Sequence, residues 1–207
     1  EEGYTSYTAN AGLLELRKEI SKYINNLNGV QYNPENEVIV TVGASQALDI
    51  ALRAIVNPGD EVIVVEPCFV AYAPLVSLAG GVPVTISTKK ENSFKLMPDE
   101  LEAAITPKTK AVLICSPNNP TGTQMLDSDL KALAEVIERN DLVVLSDEIY
   151  AELSYDEPFA SFATIPGMRE RTIVINGFSK AFAMTGWRLG FVCAPVELSE
   201  AMLKIHQ

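Results

Sequence analysis

With 207 residues, 47% hydrophobic and 21% charged, the chain holds enough apolar material for one substantial core and at most a small appendage. Its 27 acidic residues against 16 basic ones leave a net charge of -11, which argues against a nucleic-acid backbone or an anionic membrane surface as the main partner. The three cysteines, Cys68, Cys115 and Cys193, are odd in number, far apart and set in apolar runs, so they read as small core residues of a reducing compartment rather than a disulfide framework.

No stretch has the apolar length of a membrane span, and Glu1-Glu2-Gly3-Tyr4 lacks the basic and apolar pattern of a signal peptide, so a cytoplasmic protein is expected. The chain starts without an initiator Met and stops at Met202 to Gln207 inside an amphipathic pattern, which reads as an excised piece.

In chain order, short β-branched runs alternate with segments of helical period. The predicted elements are a helix over Gly12 to Leu27, a strand over Val38 to Val42, a helix over Ser45 to Val56 and a strand over Glu61 to Val65. A helix over Phe69 to Ala79, a strand over Val82 to Ser87, a helix over Asp99 to Ile105 and a strand over Ala111 to Cys115 follow. The series closes with a helix over Asp127 to Arg139, strands over Leu142 to Ser146, Thr172 to Asn176 and Leu189 to Cys193, and a helix after Pro195. Asn57-Pro58-Gly59-Asp60 and Gly80-Gly81 break helices, and Asp127 is a plausible N-cap. Most strands are apolar on both faces, which predicts a three-layer α/β/α fold around a mostly parallel seven-stranded sheet. Ligands of such sheets sit beyond the carboxyl ends of the strands.

The residues that follow the strands are therefore the candidates. Gly43-Ala44-Ser45-Gln46 opens a helix whose free N–H groups, with the Ser45 hydroxyl, suit an anion, although a serine there is more often a plain cap. Asn119, in Ser116 to Gly122, offers an amide or simply forms a turn. Asp147 ends a buried strand, where a carboxylate needs a cation or a donor or simply caps the next turn, with the Tyr150 phenol three residues on. Lys180 stands in an apolar, glycine-containing loop, a setting that can strip a lysine of water and make it a nucleophile, although a lysine taken singly is more often a surface residue; Arg188 adds a planar fork suited to phosphate. Trp187 reads as core filler and His206 as a packing or exposed residue, and no His and Cys spacing suggests a metal site.

Together these pieces outline one ligand. The stretch GFSKAFAMTGWRLG, residues 177–190, resembles the lysine-site signature of the class I and II aminotransferases, which use pyridoxal phosphate (PLP). SPNNPTG, VLSDEIY and TVGASQAL resemble three further blocks of that family in the same order. The resemblance implies that Lys180 holds the cofactor as a Schiff base and shuttles a proton, that Asp147 pairs with the ring nitrogen, and that Tyr150 and Asn119 bond the cofactor's 3′-oxygen. It further implies stacking by Phe69 and a phosphate cup of Ala44, Ser45, Gln46, Ser179 and Arg188. Gly177 departs from relatives with serine there, so one hydroxyl is missing or replaced by Ser179. YTANAGLLELR, residues 7–17, resembles a block whose tyrosine reaches the neighbouring subunit's phosphate, which makes Tyr7 a residue acting across a homodimer.

The family's activity is transfer of an amino group between an amino acid and a 2-oxo acid, and the blocks look closest to its aspartate and broad-specificity branch. A PLP lyase or synthase of the same fold and a non-catalytic PLP-binding regulatory domain remain open. Residues 1–207 would form the PLP-binding large domain, without the family's N-terminal arm and its C-terminal small domain, which carries the substrate-carboxylate arginine. Such a piece is expected to bind PLP weakly and turn over little or nothing.

Overall fold

A computed structural model describes residues 5–207, so the expectation about Glu1 to Tyr4 lies outside the described residues. The elements in order are α1 (Leu14–Asn28), β1 (Val38–Thr41), α2 (Gly43–Ile55), β2 (Glu61–Glu66), α3 (Tyr72–Leu78), β3 (Val82–Ser87) and α4 (Pro98–Ala104). They continue as β4 (Thr109–Cys115), α5 (Asp127–Arg139), β5 (Val143–Asp147), β6 (Thr172–Gly177), β7 (Gly190–Cys193) and α6 (Val196–His206).

The strands form one seven-stranded sheet in the order β1-β7-β6-β5-β4-β2-β3. The pairs from β6 to β3 are parallel, whereas β7 runs antiparallel to both β6 and β1. A parallel return needs a long crossover, normally a helix. The link between β6 and β7 holds only the short 3₁₀ turn Thr185–Trp187, so β7 comes straight back. β3 is an edge strand with several exposed residues, and the edge is where Pro83 can sit without breaking a ladder.

Strand residues alternate between two apolar layers, as the two-residue period of a strand requires. Ile39, Val62, Val64, Leu113, Leu145, Ile173, Ile175 and Val192 pack with α2, α3 and α6. Ile63, Val112, Ile114 and Val144 pack with α4 and α5, while Val38, Val174, Phe191 and Cys193 pack with α1. Burying each such side chain contributes about 1.5–3 kcal/mol, and the result is the expected α/β/α sandwich.

Two local expectations change. Asp127 is the first residue of α5 rather than its cap, and pairs with Lys131 at 2.7 Å. Asp129 does the capping, its Oδ2 accepting from the Leu126 N–H at 2.9 Å. Trp187 is 74% exposed rather than core, because its short turn stands outside the sheet and aims the indole outward. Cys115 and Cys193 are buried and Cys68 half-buried, all as free thiols. Among the described residues, no helix is long and apolar enough to cross a membrane.

Candidate active site

The strand ends converge with the start of α2. Thr41 Oγ1 donates to the Gly43 carbonyl at 2.9 Å, and Gln46 Oε1 accepts from the Val42 N–H at 2.7 Å, so the helix entry is tied from both sides. Gly43 has φ +73, a left-handed value that favours glycine. A Cβ on Gly43 would also stand 2.6 Å from Nη2 of Arg188, and one on Gly190 only 2.4 Å from the Gly43 carbonyl carbon. Both glycines let the guanidinium and the start of β7 lie against the first turn of α2.

Arg188 itself has φ +51, and its Nη1 donates to the Thr185 carbonyl at 3.1 Å. Among the described residues it forms no salt bridge. A guanidinium set beside the positive end of a helix is electrostatically unfavourable until an anion joins them, because both favour negative charge at the same point. The arrangement is a cradle for an anionic group.

Across the cavity lies Asp147, fully buried at the end of β5. Its Oδ2 accepts from the Tyr72 hydroxyl at 2.6 Å and its Oδ1 from the Ile149 N–H at 3.3 Å. Burial pushes this carboxyl above the usual aspartate value, and the two hydrogen bonds oppose that push. Tyr150, half-buried, presents its ring 5.7 Å from Lys180 Nζ. Burial, and then the nearby Cys115 and Asp147, raise its phenol, with the Asn119 amide acting against them. The loop bearing Asn119 is held by Asn118, whose Nδ2 donates to the Pro67 carbonyl at 3.0 Å and so links the ends of β4 and β2.

One cavity of about 280 Å³ is lined by Ala44, Ser45, Phe69, Asn119, Asp147, Tyr150, Ser179, Lys180 and Arg188. Two sequence candidates do not line it. The Gln46 side chain is engaged in capping α2, and Tyr7 is fully exposed. Lys180 is exposed rather than desolvated, because the cavity opens to solvent above it. Gly177 is buried under the start of β7, where an added Cβ would lie 3.0 Å from the Gly190 Cα and 3.1 Å from the Leu189 carbonyl, so a side chain there would need the backbone to give way. Sequence reasoning missed Tyr72, Leu48, Ile149 and Thr185, which also line the cavity. Only Tyr72 carried a signal, a polar group among the apolar positions of a predicted helix.

A mostly parallel sheet with one reversed strand, and a cavity at its carboxyl edge, is the fold of the PLP-dependent transferases. The chain belongs to the aminotransferase class I and II family, whose model matches residues 1–207, and that family is PLP-dependent. It is 65% identical over 207 residues to a putative aminotransferase, YugH, of Bacillus subtilis, covering 100% of this chain and 54% of that protein. It is 48% identical over 205 residues to an aspartate aminotransferase of Pyrococcus abyssi, covering 99% of this chain and 53% of the relative. An aromatic aminotransferase structure from Pyrococcus horikoshii superposes with a TM-score of 0.96 at 47% identity, covering 99% of this chain and 55% of the other. The chain spans about half the length of the curated relatives it matches.

Proposed function

We propose that residues 1–207 are the PLP-binding large domain of an aminotransferase that moves an amino group between an amino acid and a 2-oxo acid, with aspartate or broad specificity. The observation that carries the reading is a single cavity lined by a buried acid, Asp147, an amine, Lys180, and a cation over a helix start, Arg188. The residues fit the cofactor: the anion cradle made possible by Gly43 suits a phosphate, Phe69 offers a ring face, and Asp147 offers a negative charge to a protonated ring nitrogen. The names of the relatives from Bacillus subtilis and Pyrococcus abyssi support the reaction class, and the second supports aspartate as a substrate.

When bound, PLP supplies an aldehyde that captures amines and a protonated ring that draws electrons from the substrate Cα. Lys180 would hold the group through its amine and, once free, would serve as the general acid and base that moves a proton at the substrate Cα. Asp147 keeps the ring nitrogen protonated. Tyr150 and Asn119 would hold the 3′-oxygen, and Ala44, Ser45, Ser179 and Arg188 would bind the phosphate, with Gln46 adding at most its backbone N–H because its side chain caps α2. The full exposure of Tyr7, away from its own chain's cavity, supports its acting on a partner's site in a homodimer. The free thiols support a reducing, cytoplasmic location.

The test is to add PLP to wild type and to Lys180→Ala, reduce with borohydride and map the labelled peptide. Label on Lys180 that disappears in the variant is the expected result. Equal labelling of scattered lysines would overturn the reading.

A further inference from the structure

We propose that Tyr72 is a positioning residue for the cofactor, fixing the Asp147 carboxylate and preserving its negative charge through a direct hydrogen bond; this role rests on the functional reading above. Tyr72 opens α3 and is 1% exposed. Its hydroxyl meets Asp147 Oδ2 at 2.6 Å, a contact between residues 75 apart in sequence. The ring is held edge-on against Phe69, with centroids 5.7 Å apart and planes at 81°. A phenol clamped in this way has little freedom, so the carboxylate plane is set with it.

The nature of the donor matters as much as its position. The titratable groups around Asp147 are Tyr72 from α3, Cys115 from β4 and Tyr150 along its own chain, with Lys180 and Arg188 across the shared cavity, while its neighbour Glu148 points to the other side of the sheet. Among the described residues, Asp147 forms no salt bridge. A lysine or arginine partner would orient the carboxylate but also neutralise it, leaving little charge for a ring nitrogen. Tyr72 orients it without neutralising it. Burial, and then Asp147 itself, push the phenol well above its ordinary value, so Tyr72 remains a neutral donor across the working pH range. The Ile149 N–H at 3.3 Å is a longer contact and supplies less of the hold.

The test compares the full chain as wild type, Tyr72→Phe, Asp147→Asn and the double variant, each titrated with PLP labelled with ¹⁵N in the ring. Tyr72→Phe is expected to weaken PLP binding roughly 10-fold and to move the bound ring-nitrogen signal toward its unprotonated position. In the Asp147→Asn background the same substitution is expected to change affinity less than about twofold, because the partner through which it acts is gone. An equal loss in both backgrounds, or an unmoved nitrogen signal in Tyr72→Phe, would show that the phenol only packs and overturn the proposal. The nitrogen signal comes only from folded, loaded protein, so partial unfolding of the variant does not imitate the effect. If wild type itself binds no PLP, the cofactor reading falls, and this role with it. That outcome differs from one in which wild type binds and Tyr72→Phe matches it.

Discussion

Asp147 and Glu148 are neighbours in sequence, both buried, yet they serve opposite sides of the sheet. Asp147 faces the α2 and α3 layer, receives one phenol and one backbone N–H, and borders the open cavity. Glu148 faces the other layer, where Oε1 accepts from Ser161 at 2.5 Å and Ser146 at 3.0 Å while Oε2 has no hydrogen-bond partner among the described residues. Burial pushes the Glu148 carboxyl up to about 7, against the pull of the two serines. Glu148 is 1% exposed and does not line the cavity, so burial favours its neutral acid. The difference shows that burial alone does not place a carboxylate on the cavity.

The cavity side can be probed first where the expected effect is largest. Arg188→Ala should weaken PLP by about 3 kcal/mol, on the order of 100-fold, while leaving binding of unphosphorylated pyridoxal nearly unchanged. Equal losses for both ligands in a fluorescence titration would place Arg188 away from the phosphate.

On the sealed side, the prediction concerns stability against pH. Glu148 holds its proton more tightly folded than unfolded, so its contribution is full below about pH 4.5 and is lost as the pH rises toward 7. That loss amounts to about 3 kcal/mol. Glu148→Gln, which cannot ionise, should gain on wild type in melting temperature as the pH rises through this window. A difference between the two that stays flat with pH would mean the carboxyl titrates normally.

Two smaller effects return to the cavity. Gly43→Ala places a Cβ at a φ of +73 and against the Arg188 guanidinium, a strain of roughly 1–2 kcal/mol. Lower stability together with weaker phosphate binding is expected, and loss of only one would separate the two roles of this turn. Tyr150→Phe should cost about 1 kcal/mol in PLP affinity, or some fivefold; no change by equilibrium dialysis would remove Tyr150 from the cofactor's contacts.

Much of this architecture is legible in sequence because it follows from local chemistry. β-Branched runs give the strands, and Pro58, Gly59, Gly80 and Gly81 mark the breaks. The residues that follow β4, β5 and β6 lie at one edge because parallel strands all end on the same side. What sequence conceals depends on long-range packing. Tyr72 stands out locally as a polar group in an apolar helix, but that its hydroxyl reaches Asp147, 75 residues away, depends on how the start of α3 packs beside the strand ends. The reversal of β7 depends on how little structure fits between Phe178 and Leu189. Trp187 looks like core by composition, but its turn faces outward. Asp129 rather than Asp127 supplies the cap because Asp127 is already the first helical residue, although the helix starts where the sequence places it.

The most direct test of the division between the two acids is a side-by-side PLP titration of Asp147→Asn and Glu148→Gln. The account predicts that Asp147→Asn binds on the order of 100-fold more weakly, through loss of a buried charge facing the ring nitrogen, and that Glu148→Gln binds like wild type. Equal weakening in the two variants, or weakening confined to Glu148→Gln, would contradict it.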